Sequence, residues 1–337
     1  MSQSTSGVMI SVQDLTKEYG MVKAVDHISF EVSRGTIVGF LGPNGAGKTT
    51  TMRILTTYLP ATSGVAKVAG YDVMYESMEV RRNIGYLPES VPLYPEMRVE
   101  EYLLYRARLK QVDRRIRKAR IDKCMERCRI REVRRRLIGT LSKGYRQRVG
   151  LADSLVHDPP ILIMDEPTSG LDPLQIRETL NTIKELGQEH TILLSTHILS
   201  EVEAVCERVI IINRGKIGLD SPLKELSTDT TDVQVEIKCP AETARRVLES
   251  VPGVASVTVR ELPGGWTEAD VRTQNDQDLR EVIAAKIQQN QWPLRRLDLR
   301  QRRLEDHFVE VVVRGDSSST ALQNGYAAQT PATATYA

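Results

Sequence analysis

Residues 42–50, GPNGAGKTT, have the residue types and the spacing of a phosphate-binding loop. They fit G-x-x-x-x-G-K-[ST], a pattern in which glycines let the backbone wrap closely around an anion. The lysine of this pattern reaches the β- and γ-phosphates of a nucleotide, and the next hydroxyl binds Mg²⁺. The segment therefore predicts a nucleoside triphosphate site. Its residues expected to contact the nucleotide are Gly42, Pro43, Asn44, Gly45, Ala46, Gly47, Lys48, Thr49 and Thr50.

Two adjacent carboxylates, Asp165 and Glu166, follow the apolar run ILIM. A buried strand would deliver both to its carboxyl-terminal edge. In a phosphate-binding-loop fold the first carboxylate holds Mg²⁺, usually through water, and the second is placed to polarise the attacking water. His197 ends another apolar run, TILLST, beside the other strand-end residues. We therefore expect His197 to contact the γ-phosphate.

A second anion site is predicted within LSKGYRQRVGLADSL (141–155), where a loop of small residues runs into an amphipathic helix. Ser142 and Gly144 would lie at the N-terminus of that helix. Helix N-termini present unpaired N–H groups and a positive dipole end to anions. We therefore expect these two residues to contact a phosphate.

The elements that must position these groups can be inferred from the spacing of apolar residues. TIVGFL (36–41) is typical of a buried strand, and the segment 49–59 after the loop predicts a helix. Residues 9–15 and 24–32 alternate as half-buried antiparallel strands do, with a turn at Tyr19-Gly20. Tyr19 could stack on a base or be an ordinary turn or core tyrosine.

Segment boundaries follow from changes in pattern along the 337 residues. The expected organisation is a flexible N-terminus (1–8), a nucleotide-binding domain (9–227) with a helical subdomain at about 95–157, a C-terminal domain (232–313) and a disordered tail (314–337). The C-terminal domain shows the order βαββαβ, which predicts a ferredoxin-like α+β sandwich. Leu304, Phe308 and Val311 step like a short closing helix that could pack on either domain.

Composition narrows the class of protein. The net charge is only +2, so any site for a polyanion must be local. The first ten residues lack the features of a secretory signal, and no run of about 18 apolar residues occurs, so we expect a cytosolic chain. Cys124 and Cys128 lie one helical turn apart on an apolar stripe and are interpreted as buried small hydrophobes rather than metal ligands.

A strongly basic stretch covers residues 114–136. It could be a solvated helix face, a surface for anionic lipid headgroups or an acidic partner loop, or a nucleic acid surface. Its basic residues are Arg114, Arg115, Arg117, Lys118, Arg120, Lys123, Arg127, Arg129, Arg131, Arg134, Arg135 and Arg136.

Taken as a set and in this order, GPNGAGKTT, LSKGY, ILIMDEP, SGLD and STH resemble the motifs of nucleotide-binding subunits of ABC transporters over about residues 9–226. The resemblance implies an α/β P-loop NTPase of the ABC ATPase type, with a mixed sheet, an antiparallel β subdomain and a helical insertion. It further implies two copies that close head to tail on two ATP molecules, so that each LSKGY caps the ATP on the partner's loop.

The resemblance also assigns roles to individual residues. It makes Tyr19 the adenine-stacking aromatic, Glu166 the general base and Asp172 part of the loop that signals across the dimer. The remaining matches are phosphate and Mg²⁺ ligands at Lys48, Thr49 and Asp165, and a γ-phosphate switch at His197.

Two departures from the family pattern stand out. Glu89 replaces the usual glutamine that senses Mg²⁺ and the coupled membrane domain, so it could contact the metal through water. Lys143 and Tyr145 replace the commoner glycine and glutamine of the signature. The IGYLPE and SKGYRQR variants resemble those of type-2 exporters, including multidrug and gliding-motility ATPases.

The resulting expectation is an ATP- and Mg²⁺-dependent ATPase subunit of an exporter. It would pair with a second copy and with a separately encoded membrane permease, lie on the inner face of the cell membrane, and bind no nucleic acid. The alternative is a soluble nucleic-acid- or ribosome-associated ABC ATPase that uses the basic 114–136 helices. The transported substrate cannot be inferred, because the permease selects it.

Overall fold

The computed structural model describes residues 7–226, 231–273, 278–301 and 304–313. The chain divides into two compact units. One comprises Met1–Ser221 with Glu310–Ala337, and the other comprises Pro222–Val309. The domain limits inferred from the sequence remain a prediction.

A six-stranded sheet forms the centre of the first unit. Its strands are β3 (Ile37–Leu41), β6 (Ile84–Leu87), β7 (Ile161–Asp165), β8 (Thr191–Thr196), β9 (Arg208–Asn213) and β10 (Lys216–Pro222). They lie in the order β10-β9-β3-β8-β7-β6, and the pairs β9-β3, β3-β8, β8-β7 and β7-β6 are parallel. Every residue of β3, β7 and β8 is buried, as expected for a parallel sheet covered on both faces. The carboxyl ends of these three strands therefore meet at one edge of the sheet.

A second, antiparallel sheet belongs to the same unit. Its strands are β1 (Val8–Tyr19), β2 (Val22–Ser33), β4 (Ser63–Val68) and β5 (Tyr71–Asp72), in the order β2-β1-β4-β5. The turn predicted at Tyr19-Gly20 is misplaced by one residue, because Tyr19 still pairs with Val22 and the turn is Gly20-Met21.

Between β3 and β9 the described residues form seven α-helices. They are α1 (Lys48–Leu55), α2 (Ser77–Asn83), α3 (Val99–Leu109), α4 (Arg114–Arg127), α5 (Lys143–Leu155), α6 (Pro173–Leu186) and α7 (Leu199–Val205). The prediction that α1 continues to residue 59 was wrong: the helix ends at Leu55, and Thr57 has a left-handed φ of 61° that no helix interior allows. Helices α3, α4 and α5 share a core that includes Tyr102, Met125 and Val149, so the predicted helical insertion is present.

The second unit follows the predicted order βαββαβ. After α8 (Leu223–Leu226) come β11 (Thr231–Ile237), α9 (Ala241–Glu249), β12 (Val254–Leu262), β13 (Trp266–Thr273), α10 (Arg280–Gln289) and β14 (Leu294–Gln301). The sheet has the order β12-β13-β11-β14, and all of its pairs are antiparallel. Val233 and Val235 on the central strand pack with Leu248 of α9 and Ile283 of α10. This arrangement is the predicted ferredoxin-like sandwich.

Residues 304–313 are helical, as the apolar spacing predicted. The end of this helix belongs to the first unit, where Asn213 Nδ2 donates to the carbonyls of Val311 (3.3 Å) and Val312 (3.4 Å). The side chain of Val311 lies against Gly218, where a Cβ would be 2.4 Å from Val311 Cγ1. Residues 1–6 of the N-terminus predicted to be flexible, and the tail from 314 onward predicted to be disordered, lie outside the described residues.

Candidate active site

The phosphate-binding loop connects the end of β3 to the start of α1. Lys48 is the first residue of α1 and is buried, and its ammonium donates to the carbonyls of Gly42 (2.8 Å) and Pro43 (3.2 Å). Gly47 caps the helix with a left-handed φ of 107°. The loop is therefore wrapped around its own lysine at the place where the sequence predicts phosphate.

Glu166 is held between two nitrogen groups. Its Oε1 lies 3.2 Å from Lys48 Nζ, and its Oε2 lies 2.8 Å from His197 Nδ1. Its backbone is left-handed (φ 48°), and its N–H donates to the carbonyl of Ser195 at 3.1 Å. A non-glycine residue in this conformation costs about 1–3 kcal/mol, a strain that typically occurs at functional sites. The structure thus brings together Lys48, Glu166 and His197, the three predicted catalytic residues.

Asp165 stands at the end of β7 with a different set of contacts. Its Oδ1 accepts from Ser195 Oγ at 2.5 Å and from Thr49 Oγ1 at 3.3 Å. Burial raises the pKa of Asp165; the two hydroxyl donors oppose this shift, and the nearby charges of Glu166 and Glu89 add to it. A cation between Asp165 and Thr49 would relieve this excess of negative charge, so the residues present fit Mg²⁺.

Glu89 lies after β6 on the wall of a large cavity of about 1120 Å³. The same cavity is lined by Thr49 and Asp165, so the three predicted Mg²⁺ ligands share one space. The carboxylate of Glu89 itself accepts from Ser169 Oγ at 3.3 Å. Glu89 therefore connects this cavity to the segment that follows Glu166.

Sequence reasoning missed a buried carboxylate, Glu201 of α7, which is 2% exposed. It accepts from Thr168 Oγ1 (2.6 Å) and from Thr196 Oγ1 (2.7 Å). Thr168 follows Glu166 by two residues, and Thr196 precedes His197. Glu201 therefore ties the segment that carries Glu166 to the segment that carries His197. No spacing in the sequence points to this role, because the partners of Glu201 come from two separate segments.

Replacing Glu201 by Gln should lower the free energy of unfolding by about 1–3 kcal/mol, because the amide NH₂ cannot accept from a buried hydroxyl. Urea unfolding measures the loss. Glu203→Gln, on the exposed side of the same helix, should stay within about 0.5 kcal/mol of the parent protein. Equal stability of the two variants would contradict this role for Glu201.

Two loop glycines offer a matched test of the phosphate-binding loop. Gly45 (φ 78°) and Gly47 (φ 107°) are both left-handed, but a Cβ on Gly47 would lie 2.4 Å from the carbonyl oxygen of Ala24, whereas one on Gly45 meets nothing within 4 Å. Gly47→Ala should therefore destabilise by about 1–3 kcal/mol more than Gly45→Ala, because only Gly47→Ala adds a clash with the backbone to the cost of a positive φ. Thermal unfolding of both variants checks this difference.

The predicted second anion site forms a separate surface. Ser142 caps α5 and accepts from the N–H of Tyr145, while Asp172 caps α6 and accepts from the N–H of Gln175 at 3.0 Å. Ser142, Gly144 and Asp172 line a cavity of about 610 Å³. Among the described residues that line it, none belongs to the phosphate-binding loop. The structure therefore groups these residues with one another and not with Lys48.

Lys143, one of the two departures in the signature, reaches the segment after Glu166. A Cβ on Gly170 would lie 2.1 Å from its Nζ, so the ammonium covers this glycine. Tyr145, the other departure, donates its hydroxyl to Glu132 and has the guanidinium of Arg148 5.7 Å from its ring centroid. Lys143 and Tyr145 therefore both contact other residues of the same chain.

Tyr19, the predicted base-stacking residue, closes β1 with half of its surface exposed. Lys17 Nζ lies 5.4 Å from its ring centroid. An exposed ring is compatible with stacking on a base, and the role stays a prediction.

Half of the basic residues in 114–136 form ion pairs, with the acids Glu100, Asp122, Glu126, Asp158, Glu178 and Glu189. The paired residues are Arg120, Lys123, Arg127, Arg129, Arg131 and Arg134.

Cys124 and Cys128 are buried in the helical core, and burial raises the pKa of Cys124 to about 11. In the described residues, no three His, Cys, Asp or Glu side chains form a group that could hold a metal ion.

The fold and the site define an ATP-binding domain of the P-loop type. Residues 25–169 match the family model described as "ABC transporter". The bacitracin transport ATP-binding protein BcrA of Bacillus licheniformis is 40% identical over 220 residues, which cover 65% of this chain and 71% of that protein. The chain therefore belongs to the ABC transporter ATP-binding protein family, and the predicted resemblance and fold class are confirmed.

Two further similarities agree with this assignment. The daunorubicin resistance ATP-binding protein DrrA3 of Streptomyces coeruleorubidus is 36% identical over 68% of this chain and 72% of its own length. A solved ATP-binding subunit of an ABC transporter superposes with a TM-score of 0.60 at 30% identity, over 65% of this chain and 91% of that structure.

Proposed function

We propose that this chain is the ATP-hydrolysing subunit of an ABC exporter, and that hydrolysis drives transport through a separately encoded permease. The observation that carries the proposal is the placement of Glu166 between Lys48 (3.2 Å) and His197 (2.8 Å) at the mouth of the phosphate-binding loop. The names of BcrA and DrrA3 support a role in handling antibiotics or similar compounds.

The chain's own residues account for the proposed hydrolysis. The phosphates would draw Lys48 away from Glu166 and from the carbonyls of the loop. Glu166 would then be free to accept a proton from the attacking water. His197, now hydrogen-bonded to Glu166, lies where it could orient the γ-phosphate. Mg²⁺ held by Thr49 and Asp165, with Glu89 near through water, would neutralise charge on the phosphate oxygens.

A second copy of the chain would complete the site. Ser142 and Gly144 line a cavity that no loop residue in the described chain lines. We propose that they contact the ATP on the partner's loop and that Asp172 reports across the dimer. To shift the dimer from about 1:99 to 99:1 closed, ATP must favour closure by about 5.5 kcal/mol. Contacts from both phosphate-binding surfaces make this magnitude plausible.

The cavity of about 1120 Å³ extends beyond Thr49 and Asp165 to residues of the helical insertion, and that part is the proposed docking groove for the permease. It lies between the main sheet and the helical insertion, since Tyr86 belongs to β6 and Leu109 ends α3. Throughout the described residues no helix is both long and apolar enough to cross a membrane. We propose that the chain acts at the inner face of the cell membrane, bound to a permease. We also propose that the C-terminal domain is regulatory or accessory.

The test is a pull-down from detergent-solubilised membranes with Glu166→Gln protein and Mg-ATP. The variant should hold ATP, stay closed and retain its partner. Lys48→Ala is the control, because it removes a phosphate ligand and should retain less of any ATP-dependent partner. Co-purification of a multi-span membrane protein, stronger with Glu166→Gln than with Lys48→Ala, is the expected result. Recovery of ribosomes or nucleic acid instead would overturn the proposal.

A further inference from the structure

The tip of the α3–α4 hairpin, residues 104–119, has an unusual charge composition. It carries seven basic residues and a single acid, Asp113. Asp113 caps α4 by accepting from the N–H of Arg115 at 2.7 Å, so its carboxylate is already engaged. The basic residues are Arg106, Arg108, Lys110, Arg114, Arg115, Arg117 and Lys118.

Four of these cations have no acidic partner. Arg106 and Lys110 pair with Asp153, and Arg117 donates to the carbonyl of Val112. Within the part of the chain that the structure describes, no acid pairs with the remaining four, all of which are exposed: Arg108, Arg114, Arg115 and Lys118. Arg114 and Lys118 are four residues apart on α4, and Arg115 is three before Lys118, so these three share one helix face.

Aliphatic side chains are exposed among these cations. Ile116 is 50% exposed in the first turn of α4, and Leu109 is 58% exposed at the end of α3. Clustered Lys and Arg side chains are attracted to anionic lipid headgroups, and exposed aliphatic side chains beside them add apolar area to such a contact. Single-stranded nucleic acid surfaces instead use several aromatic side chains on which bases stack. The tip has a single aromatic residue, Tyr105, and its ring already packs edge-on against Tyr94, with 5.8 Å between the ring centroids.

We propose that this hairpin tip binds the anionic lipid headgroups of the membrane that holds the permease. The placement rests on the proposed function, because Leu109, Lys110 and Gln111 also line the cavity assigned to the permease. A chain docked there would present the tip on its membrane side. The contact would hold the subunit against the bilayer independently of nucleotide.

Co-sedimentation of the full chain with lipid vesicles tests the proposal without a permease. One set of vesicles is phosphatidylcholine alone, and in the other set part of it is replaced by phosphatidylglycerol. Binding should be stronger to the anionic vesicles and should weaken as salt rises, because screening acts over about 10 Å at 0.1 M salt. The triple variant R114E/R115E/K118E should bind them more than about a hundredfold more weakly, since each lost cation accounts for about fivefold and the three new carboxylates add repulsion.

The matched control reverses three exposed basic residues elsewhere on the same unit, R34E/K67E/K184E, and should lose much less binding. The neutral variant R114Q/R115Q/K118Q should also bind more weakly, while its thermal unfolding should match that of the parent protein. Weaker binding with unchanged unfolding shows that the loss of binding does not come from a loss of folding. Equal binding to both vesicle types, or equal loss in the control, would overturn the proposal. So would tighter binding of a DNA duplex that depends on the same residues. ATP hydrolysis measured in parallel keeps the outcomes distinct, because an inactive parent protein would refute the proposed function and not the lipid contact.

Discussion

Glu166→Gln protein should hydrolyse ATP roughly 10² to 10⁴ times more slowly than the parent protein, while binding ATP with similar affinity. The amide has the same shape and can still accept from Lys48 Nζ, which lies 3.2 Å from the carboxylate. It cannot take a proton from water, so only the chemical step should suffer. Steady-state phosphate release at saturating Mg-ATP measures turnover, and titration calorimetry measures affinity.

Glu185→Gln is the matched control, because it makes the same change at an exposed position in the last turn of α6. Its turnover should equal that of the parent protein. Near-normal turnover of Glu166→Gln would remove Glu166 from the role of general base. A parallel loss of ATP affinity would show that its ion pair with Lys48 organises the binding loop instead.

Asp165, Glu166 and His197 were predictable as a group because each ends or follows a strongly apolar strand. Asp165 ends β7, Glu166 comes next, and His197 follows β8, so all three must lie at one sheet edge once the strands are parallel neighbours. Glu201 was not predictable in this way. It lies within a seven-residue helix that the sequence analysis did not identify, and its partners Thr168 and Thr196 come from two different segments. Only the fold shows that they converge.

The basic stretch shows a second limit of sequence reasoning. Its composition leaves a solvated face, a lipid surface and a nucleic acid surface open, because ion pairs between distant residues cannot be inferred from spacing. Arg127 pairs with Glu189 and Arg120 pairs with Asp158, and in both pairs the partners are far apart in the sequence. Once these pairs are known, the basic residues of 114–136 without an ion pair in the described structure are those at the start of α4, together with Arg135 and Arg136.

Asp153 of the signature helix α5 is the buried group that joins this helix to α3. Its carboxylate lies 2.9 Å from Arg106 Nε and 3.1 Å from Lys110 Nζ, and Tyr102 donates its hydroxyl to it at 3.3 Å. Burial alone would raise the pKa of Asp153, but the charge of Lys110 and the hydrogen bond from Arg106 hold it below its usual value. The ionised form is therefore the one that the fold stabilises.

The sign of the resulting pH dependence follows from this lowered pKa. An aspartate titrates near pH 3.9 in the unfolded chain, so the contribution of Asp153 to stability is fully present above that pH. It is lost as the pH falls below about 4 toward the folded-state pKa. The stability gap between the parent protein and a variant without this carboxylate should therefore narrow in acid.

Asp153→Asn should lower the free energy of unfolding at neutral pH by about 3–5 kcal/mol, because it leaves Arg106 and Lys110 without a counter-charge in a largely buried site. Asp158→Asn is the control. It removes a partner of Arg120 from an ion pair that is far more exposed, and should cost less than about 1 kcal/mol. Urea unfolding of both variants and of the parent protein, at neutral and at acid pH, measures the two losses of stability and how each changes with pH. Equal losses would show that the Asp153 cluster does not hold α5 against α3. A gap that widens as the pH falls would contradict the lowered pKa.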